Sequence, residues 1–297
     1  MYRFIVNPVA GKGEAPAIAR RALELLGRPA ELHLTKSAAE ATDIARAAAE
    51  SGAEAVVAVG GDGTVQEIIT GLMGVGATGV PLAIIPTGSG NDFAKSMGLT
   101  KQTPETCAAL LKENKPGKID LIEAEGGSGR GVYCGNIASV GLDADIVRYA
   151  GGLKEKYGKF AYIAATLHCA RTSDMFAMKV TADGNVIEGN FNLTAVCNGS
   201  YYGGGYKIAP KSDPSDGLIT LCLIQGLSKL KVAALFPTVL IGRHKFIKGV
   251  SFLNCKEVTL EYSGVKDVNV DGNLFELEGA RHFRVRAGAL RLFGYKK

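Results

Sequence analysis

The sequence contains no apolar run long enough to span a bilayer. The longest uncharged stretch of its second half, Val232 to Gly242, is about eleven residues and carries Pro237, against the ~20 residues a spanning helix needs. Its N-terminus, MYRFIVNPVAGKG, lacks the charged start, long apolar core and small-residue cleavage site of a signal peptide. The expectation is a cytoplasmic protein, with a peripheral place at the inner membrane face left open. No two of the six cysteines (Cys107, Cys134, Cys169, Cys197, Cys222, Cys255) lie within about 20 residues of each other, so no CxxC zinc or redox pattern exists. Several sit in apolar runs such as LITLCLI, where cysteine behaves as a small buried hydrophobe. The four histidines are scattered and receive no catalytic role. A net charge of +5, without any RNA- or DNA-binding motif, gives no ground for a nucleic-acid partner.

What is present is a chain of 297 residues, 46% apolar and 21% charged, enough for two domains with their own cores. The first third alternates short apolar runs (RFIVNP, ELHLT, AVVAVGG, PLAIIP) with helical patterns. Pro16 sits where a first helical turn tolerates proline, and Ser37 with Glu40 reads as a capping box for a helix over Ala38 to Ser51. A third helix is expected from about Thr64 to Met73, and Thr103-Pro104-Glu105 opens another. Such strand–helix repetition implies an α/β, doubly wound parallel sheet, with connecting turns gathered at the C-terminal strand ends. From about Gly117 the character changes to strand-like runs with glycine turns, among them GVYCGNIAS, FAMKVTADG, NFNLTAVCNG, KEVTLEY, VNVDGN and FRVRAG. These predict a second, mainly antiparallel domain of β-sandwich type, interrupted by helices over Glu155 to Arg171 and Ser228 to Gly242. The boundaries read as 1–118 for the α/β domain and 119–287 for the β-rich domain, with a terminal strand at about 288–297 free to return to the first.

Three loops carry the chemistry. Gly60-Gly61-Asp62-Gly63-Thr64 follows a buried strand and opens a helix. Glycines let backbone N–H groups approach a phosphate, the helix N-terminus adds partial positive charge, and Asp62 can hold or orient Mg²⁺. An ordinary glycine turn capped by Thr64 would look the same in five residues. The second loop, Pro86-Thr87-Gly88-Ser89-Gly90-Asn91-Asp92-Phe93-Ala94, ends the fourth strand; its glycines and hydroxyls again suit phosphate, and Asn91 or Asp92 can cap the next helix. The third, Asn7-Pro8-Val9-Ala10-Gly11-Lys12-Gly13, follows the first strand. It is not a Walker A loop, because the glycine spacing is wrong and no Ser or Thr follows Lys12. A dinucleotide-binding oxidoreductase is also disfavoured, since no G-x-G-x-x-G follows the first strand.

Together, N-P-x-x-G-x-G, G-G-D-G-T with Glu67 after it, and P-T-G-S-G-N-D-F-A resemble the diacylglycerol kinase catalytic family, which includes bacterial lipid kinases and, more distantly, sphingosine and ceramide kinases. The resemblance extends through A-P-x-x-x-x-x-D-G at Ala209 to Gly217 and V-D-G at Val270 to Gly272. It implies a two-domain enzyme that uses ATP and Mg²⁺ to phosphorylate a lipid hydroxyl, most simply that of diacylglycerol. It also implies that Asn7, Pro8, Gly11, Thr35, Gly60, Gly61, Asp62, Gly63, Thr64, Glu67, Thr87, Gly88, Gly90 and Asn91 serve the nucleotide. Asp213, Asp216 and the carbonyl of Leu218 would hold a structural Mg²⁺, and such hard oxygen ligands on a turn suit that ion.

One departure stands out. The bacterial family follows V-D-G with a glutamate read as the base toward the lipid hydroxyl, and this chain has Asn273. Asp271, Asp92, Asp62, Glu276 and Glu278 are the substitutes that the sequence offers. A catalytically impaired nucleotide- or lipid-binding regulator is one alternative. An NAD kinase, which shares the G-G-D-G-T loop, is another. The acceptor lipid and the oligomeric state, a homodimer included, stay open. Transient membrane contact is expected from the mixture of Lys229, Lys231, Arg243, His244, Lys245 and Lys248 with Phe236, Phe246 and Ile247, although a solvated basic face gives the same pattern.

Overall fold

The computed structural model describes residues 1–37, 39–76, 79–125, 132–157, 161–263, 267–276 and 280–296, with side chains of 154–157 excepted. The chain divides into two compact units. The first comprises Met1–Leu121, Pro214–Asp216 and Arg286–Lys297, and the second Ile122–Asp213 and Gly217–Val285.

In the first unit, β1 (Tyr2–Val6), β2 (Ala30–Leu34), β3 (Ala55–Gly60) and β4 (Leu82–Pro86) form a parallel sheet in the order β2–β1–β3–β4. Every residue of β3 is buried, as its unbroken apolar run requires of a strand covered on both faces. Phe4, Val6, Val57, Val59, Ala83 and Ile85 pack under α1 (Ala15–Leu26) and α5 (Pro104–Glu113). The alternate residues Ile5, Val56, Ala58 and Ile84 are equally buried and face the side of α2 (Glu40–Glu50) and α3 (Asp62–Met73). α2 and α3 touch closely, since a Cβ on Gly71 would lie 2.2 Å from the Thr42 carbonyl oxygen. The chain passes from β1 to β2 on one side and returns to β3 on the other. β1 and β3 therefore flank the switch point where ligands bind in such sheets.

One local expectation fails here, and another shifts by two residues. Ser37 does not cap α2; the helix begins at Glu40, whose carboxylate instead accepts from the Lys36 N–H at 2.5 Å. Ala38, the expected first residue of that helix, lies outside the described residues. α3 starts at Asp62, two residues before the expected Thr64, with Gly61 as its extended N-cap.

The remaining strands are β5 (Gly117–Glu125), β6 (Val132–Cys134), β7 (Ile137–Gly141), β8 (Phe176–Ala182), β9 (Asn185–Cys197), β10 (Ile219–Gln225), β11 (Val250–Cys255), β12 (Glu257–Glu261), β13 (Val268–Val270), β14 (Asn273–Phe275) and β15 (Arg281–Leu292). Strand pairing within the second unit is antiparallel. β9 organises it: its first half pairs with β8, its second half with β7, and its other edge with β10. β10 is buried on both faces. Leu221 and Leu223 enter a core with Val140, Phe191, Val258 and Phe283, while Cys222 and Ile224 face Ile146, Ala165, Leu235 and Val239. The latter side chains belong to α6 (Leu142–Tyr157), α7 (Ala161–Thr172) and α8 (Lys229–Leu240). The helix expected over Glu155 to Arg171 is thus described as two, the first beginning at Leu142. In the first unit, the end of β15 lies parallel to β4, with Leu292 opposite Leu82. All six cysteines are buried, unpaired thiols.

Candidate active site

At the C-terminal ends of β1, β3 and β4 the three loops meet. The first loop is fastened by the Asn7 N–H to the Val59 carbonyl (3.0 Å), while the Asn7 side chain accepts from the Val9 N–H (3.2 Å). It then makes a single tight turn over Ala10–Gly13, with Gly11 and Lys12 both left-handed. Gly11 lies against the second loop: a Cβ there would come within 3.3 Å of Thr87 Cβ. Thr35, just after β2, is bonded through its backbone N–H to the Val6 carbonyl (2.9 Å).

The two phosphate-compatible loops are closer still. A Cβ on Gly88 would stand 2.5 Å from the Cα of Gly61, a distance that only paired glycines permit. The Thr87 N–H bonds the Gly60 carbonyl (2.9 Å), and the Asn91 amide returns to the Gly88 carbonyl (2.7 Å). Asp62 stands in the first turn of α3, and its Oδ1 accepts from the Phe93 N–H at 2.9 Å. It thereby caps α4 (Asp92–Ser96), a role the sequence suggested for Asn91 or Asp92. Asn91 is left-handed and makes no cap, and Asp92 is buried and paired with Lys95 (3.0 Å). Burial raises the Asp62 carboxyl above its ordinary value, and the nearby Asp92 carboxylate adds to this, against the pull of the Phe93 N–H. Glu67 is one turn further along α3, where its carbonyl accepts from the Thr42 hydroxyl (3.1 Å).

The first unit thus brings together Asn7, Pro8, Gly11, Gly60 to Thr64, Thr87, Gly88, Gly90 and Asn91. Two buried oxygens there, Thr87 Oγ1 and Asn91 Oδ1, have no hydrogen-bond partner among the described residues. Unpartnered buried oxygens are costly, and here they sit beside glycine backbone at a helix N-terminus, a region that attracts anions. The Thr87 hydroxyl and the glycine amides are donors that a nucleotide phosphate fits, whereas Asn91 Oδ1 is an acceptor suited to a cation or a ligand hydroxyl. Asp62 would repel a phosphate unless a cation intervenes, so a divalent metal fits as well.

The second unit holds another tight construction. Asp271, left-handed at the end of β13, directs its carboxylate at the turn between β6 and β7. Oδ1 accepts from the Ile137 N–H (2.8 Å), the Asn136 N–H (3.1 Å) and the Cys134 thiol (3.3 Å), and Oδ2 from the Gly135 N–H (2.7 Å). Its own N–H bonds the Ile137 carbonyl (3.0 Å). Burial pushes this carboxyl up to about 6 despite those donors. Beneath the turn lies a group that the sequence reading missed. Asp143 is fully buried and accepts from Ser139 (2.5 Å), the Asn269 amide (2.6 Å) and the Tyr162 hydroxyl (2.8 Å). The Asn269 Oδ1 in turn accepts from the Gly272 N–H (2.9 Å). A carboxylate four residues after Ser139 on a strand-to-helix corner was the available signal, masked by the α6 boundary.

Asn273 opens β14, opposite Val270. Glu276 is exposed, and Glu278 lies outside the described residues. Asp213, Asp216 and Leu218 occupy the loop before β10, Asp216 counted with the first unit and the other two with the second; all three engage other groups of the chain. The Pro214–Asp216 segment is held in the first unit by the Asp120 N–H on the Pro214 carbonyl (2.7 Å) and by Tyr295 on Ser215 (3.0 Å). Among the described residues, no three His, Cys, Asp or Glu side chains cluster as metal ligands.

A parallel sheet with paired glycine loops at its strand ends, together with an antiparallel sandwich domain, is the plan of a two-domain phosphotransferase. The chain belongs to the diacylglycerol kinase family. Residues 1–124 match the diacylglycerol kinase catalytic domain, and 136–294 match the YegS C-terminal NAD kinase beta sandwich-like domain. A diacylglycerol kinase of Mycobacterium tuberculosis is 31% identical over 273 residues, covering 91% of this chain and 87% of that one. One of Bacillus subtilis is 26% identical, covering 91% and 88%. A crystal structure of a diacylglycerol kinase from Bacillus anthracis str. Sterne has the same fold, with a TM-score of 0.79 at 24% identity over 99% of this chain and 96% of that one. The chain is accordingly an ATP-dependent lipid kinase by class. No helix among the described residues is long and apolar enough to cross a membrane.

Proposed function

We propose that the chain transfers the γ-phosphate of ATP to the hydroxyl of diacylglycerol, giving phosphatidic acid and ADP. The observation that supports it most is the Gly61–Gly88 approach, which brings two loops of glycine backbone together at the α3 N-terminus. Asn7, Gly11, Thr87 and Asn91 would bind and orient the nucleotide, and Thr35 and Glu67 would border it. Mg²⁺, when bound, would neutralise phosphate charge; Asp62 would orient it, and Asp213, Asp216 and the Leu218 carbonyl would hold a structural ion.

In the transfer, the bond from the γ-phosphorus to the ADP oxygen breaks, one to the lipid oxygen forms, and the hydroxyl proton passes to solvent water. Phosphoryl transfer passes through a loose transition state, so positioning and charge neutralisation dominate and the proton can leave late. An amide at position 273 cannot take that proton at neutral pH. Asp271 is a poor substitute while four donors occupy its oxygens, and we assign it the positioning of the Cys134–Ile137 turn. Asp92, tied to Lys95, and Asp62, tied to Phe93, are likewise committed. The reading is therefore of a kinase that works without the family's glutamate at a reduced rate.

The test is Mg²⁺-dependent transfer of labelled γ-phosphate to a lipid panel in mixed micelles, with NAD as a control acceptor and Asn273→Glu alongside. Label in phosphatidic acid from the native chain supports the proposal. Label in another lipid or in NAD reassigns the acceptor. Activity confined to the Glu variant would mark the native chain as a binding protein.

A further inference from the structure

We propose that the outer face of α8 and the turn after it form a docking surface for an anionic bilayer. α8 buries Val232, Leu235 and Val239 against the sandwich. A surface helix should then present polar residues outward, but Val232 to Leu240 contains no charged residue. The outward positions Leu230, Ala234, Pro237 and Ile241 follow helical spacing and are all exposed. Leu230 is 85% exposed, Leu240 50%, Ile241 65% and Phe246 78%. Apolar side chains left this bare along one stripe mark an interaction surface.

The charge pattern selects the partner. From Gly226 to Asn254 the chain holds five cations, Lys229, Lys231, Arg243, Lys245 and Lys248, and no acidic residue. All five are exposed. Only Lys229 has an acidic partner among the described residues, Asp174 at 2.8 Å, and that pair is itself exposed. Lys245 lies over the Phe246 ring at 4.9 Å. Apolar side chains that can enter the acyl boundary, ringed by cations at headgroup level, are what an interfacial helix requires. A second copy is a poor occupant, because a two-fold contact would set these cations against themselves. Preferring a bilayer to an acidic protein rests on the lipid-kinase reading, since the proposed acceptor resides in one.

The experiment is co-sedimentation of the full chain with vesicles lacking diacylglycerol, in the absence of nucleotide, so that binding and phosphotransfer fail separately. Vesicles of phosphatidylcholine alone are compared with vesicles containing about one third phosphatidylglycerol, at low and high salt. The expected result is binding to the anionic vesicles that weakens with salt. Lys245→Glu with Lys248→Glu should lower the partition coefficient by roughly fivefold or more per cation. Phe246→Ser and Leu230→Ser should each lower it by roughly tenfold, with charge unchanged. Val186→Ser, an exposed apolar position on β9, should bind like the native chain, and all variants should keep the native unfolding temperature because the positions are exposed. Absence of binding at low salt overturns the proposal, as does equal binding by folded α8 variants. Concentration-dependent dimerisation in sedimentation velocity that Phe246→Ser abolishes also overturns it, reassigning the face to a second copy.

Discussion

The Asp62 carboxylate accepts a hydrogen bond from the Phe93 N–H at 2.9 Å, fastening the first turn of α3 to the first turn of α4. One side chain thus orders the second phosphate-compatible loop while standing in the first. Two roles can be separated by substitution. Asp62→Asn keeps an oxygen acceptor for Phe93 and should cost little stability. Asp62→Ala removes the cap and should cost about 1 kcal/mol. Both should lose phosphotransfer, because neither leaves a carboxylate beside the phosphates. Thermal unfolding read beside turnover distinguishes the roles; an Asn variant with native turnover would leave Asp62 with the cap alone.

A methyl group tests the loop geometry more directly. Gly88→Ala would force Cβ to within 2.5 Å of Gly61 Cα, whereas Gly63→Ala meets nothing within 4 Å. Because the obstacle for Gly88 is backbone, the loops must part, at about 1–3 kcal/mol. The KM for ATP should rise at least tenfold in Gly88→Ala and much less in Gly63→Ala. Equal effects of the two would show that the approach of the loops does not shape the nucleotide site.

How much of this was legible in the sequence follows from the range of each interaction. β1, β3, β4 and the sandwich strands announce themselves through local apolar runs, and the glycine loops through residue type. The α2 start was misplaced because a capping box is a local rule, and Glu40 finds the Lys36 N–H instead of serving Ser37. α6 was missed up to its last three residues because its start, Leu142 to Arg148 (LDADIVR), mixes acids with apolar residues, and its inward Asp143 looks like a surface residue until Ser139, Tyr162 and Asn269 surround it. The cap from Asp62 to Phe93 spans 31 residues, and no local pattern encodes it.

For Asp271 the sign of a pH effect can be derived. Its carboxyl has a folded value of about 6 against 3.8, so the native state holds the proton more tightly than the unfolded chain. The stabilisation from that proton is complete below about 4 and is lost as pH rises through about 6. Asp271→Asn should remove this component, flattening the unfolding midpoint between those values relative to the native chain. At neutral pH the variant should also be less stable by about 1–3 kcal/mol, since its NH₂ group, or an unfilled oxygen site, meets the amides of Gly135, Asn136 and Ile137. A variant that kept the native slope would assign the titration to another group.

The Asp143 cluster makes the strongest stability prediction. Three donors, Ser139, Tyr162 and Asn269, converge on one fully buried carboxylate, and Asn269 passes the constraint to the Gly272 N–H beside Asp271. Asp143→Ala strands the Tyr162 hydroxyl and leaves Ser139 and Asn269 only their long mutual contact (3.4 Å), at about 3 kcal/mol. Tyr162→Phe removes one donor and leaves the acceptor two others, so about 1 kcal/mol is expected. If the cluster also sets the Val270–Gly272 turn, Asn269→Ala should lower phosphotransfer more than its loss of stability accounts for, while Tyr162→Phe should not. Asn269 reaches the turn and Tyr162 does not, so denaturant unfolding paired with initial rates for these two variants separates a positioning role from packing. Equal rates in the two, once corrected for the folded fraction, would confine Asp143 and its donors to stability.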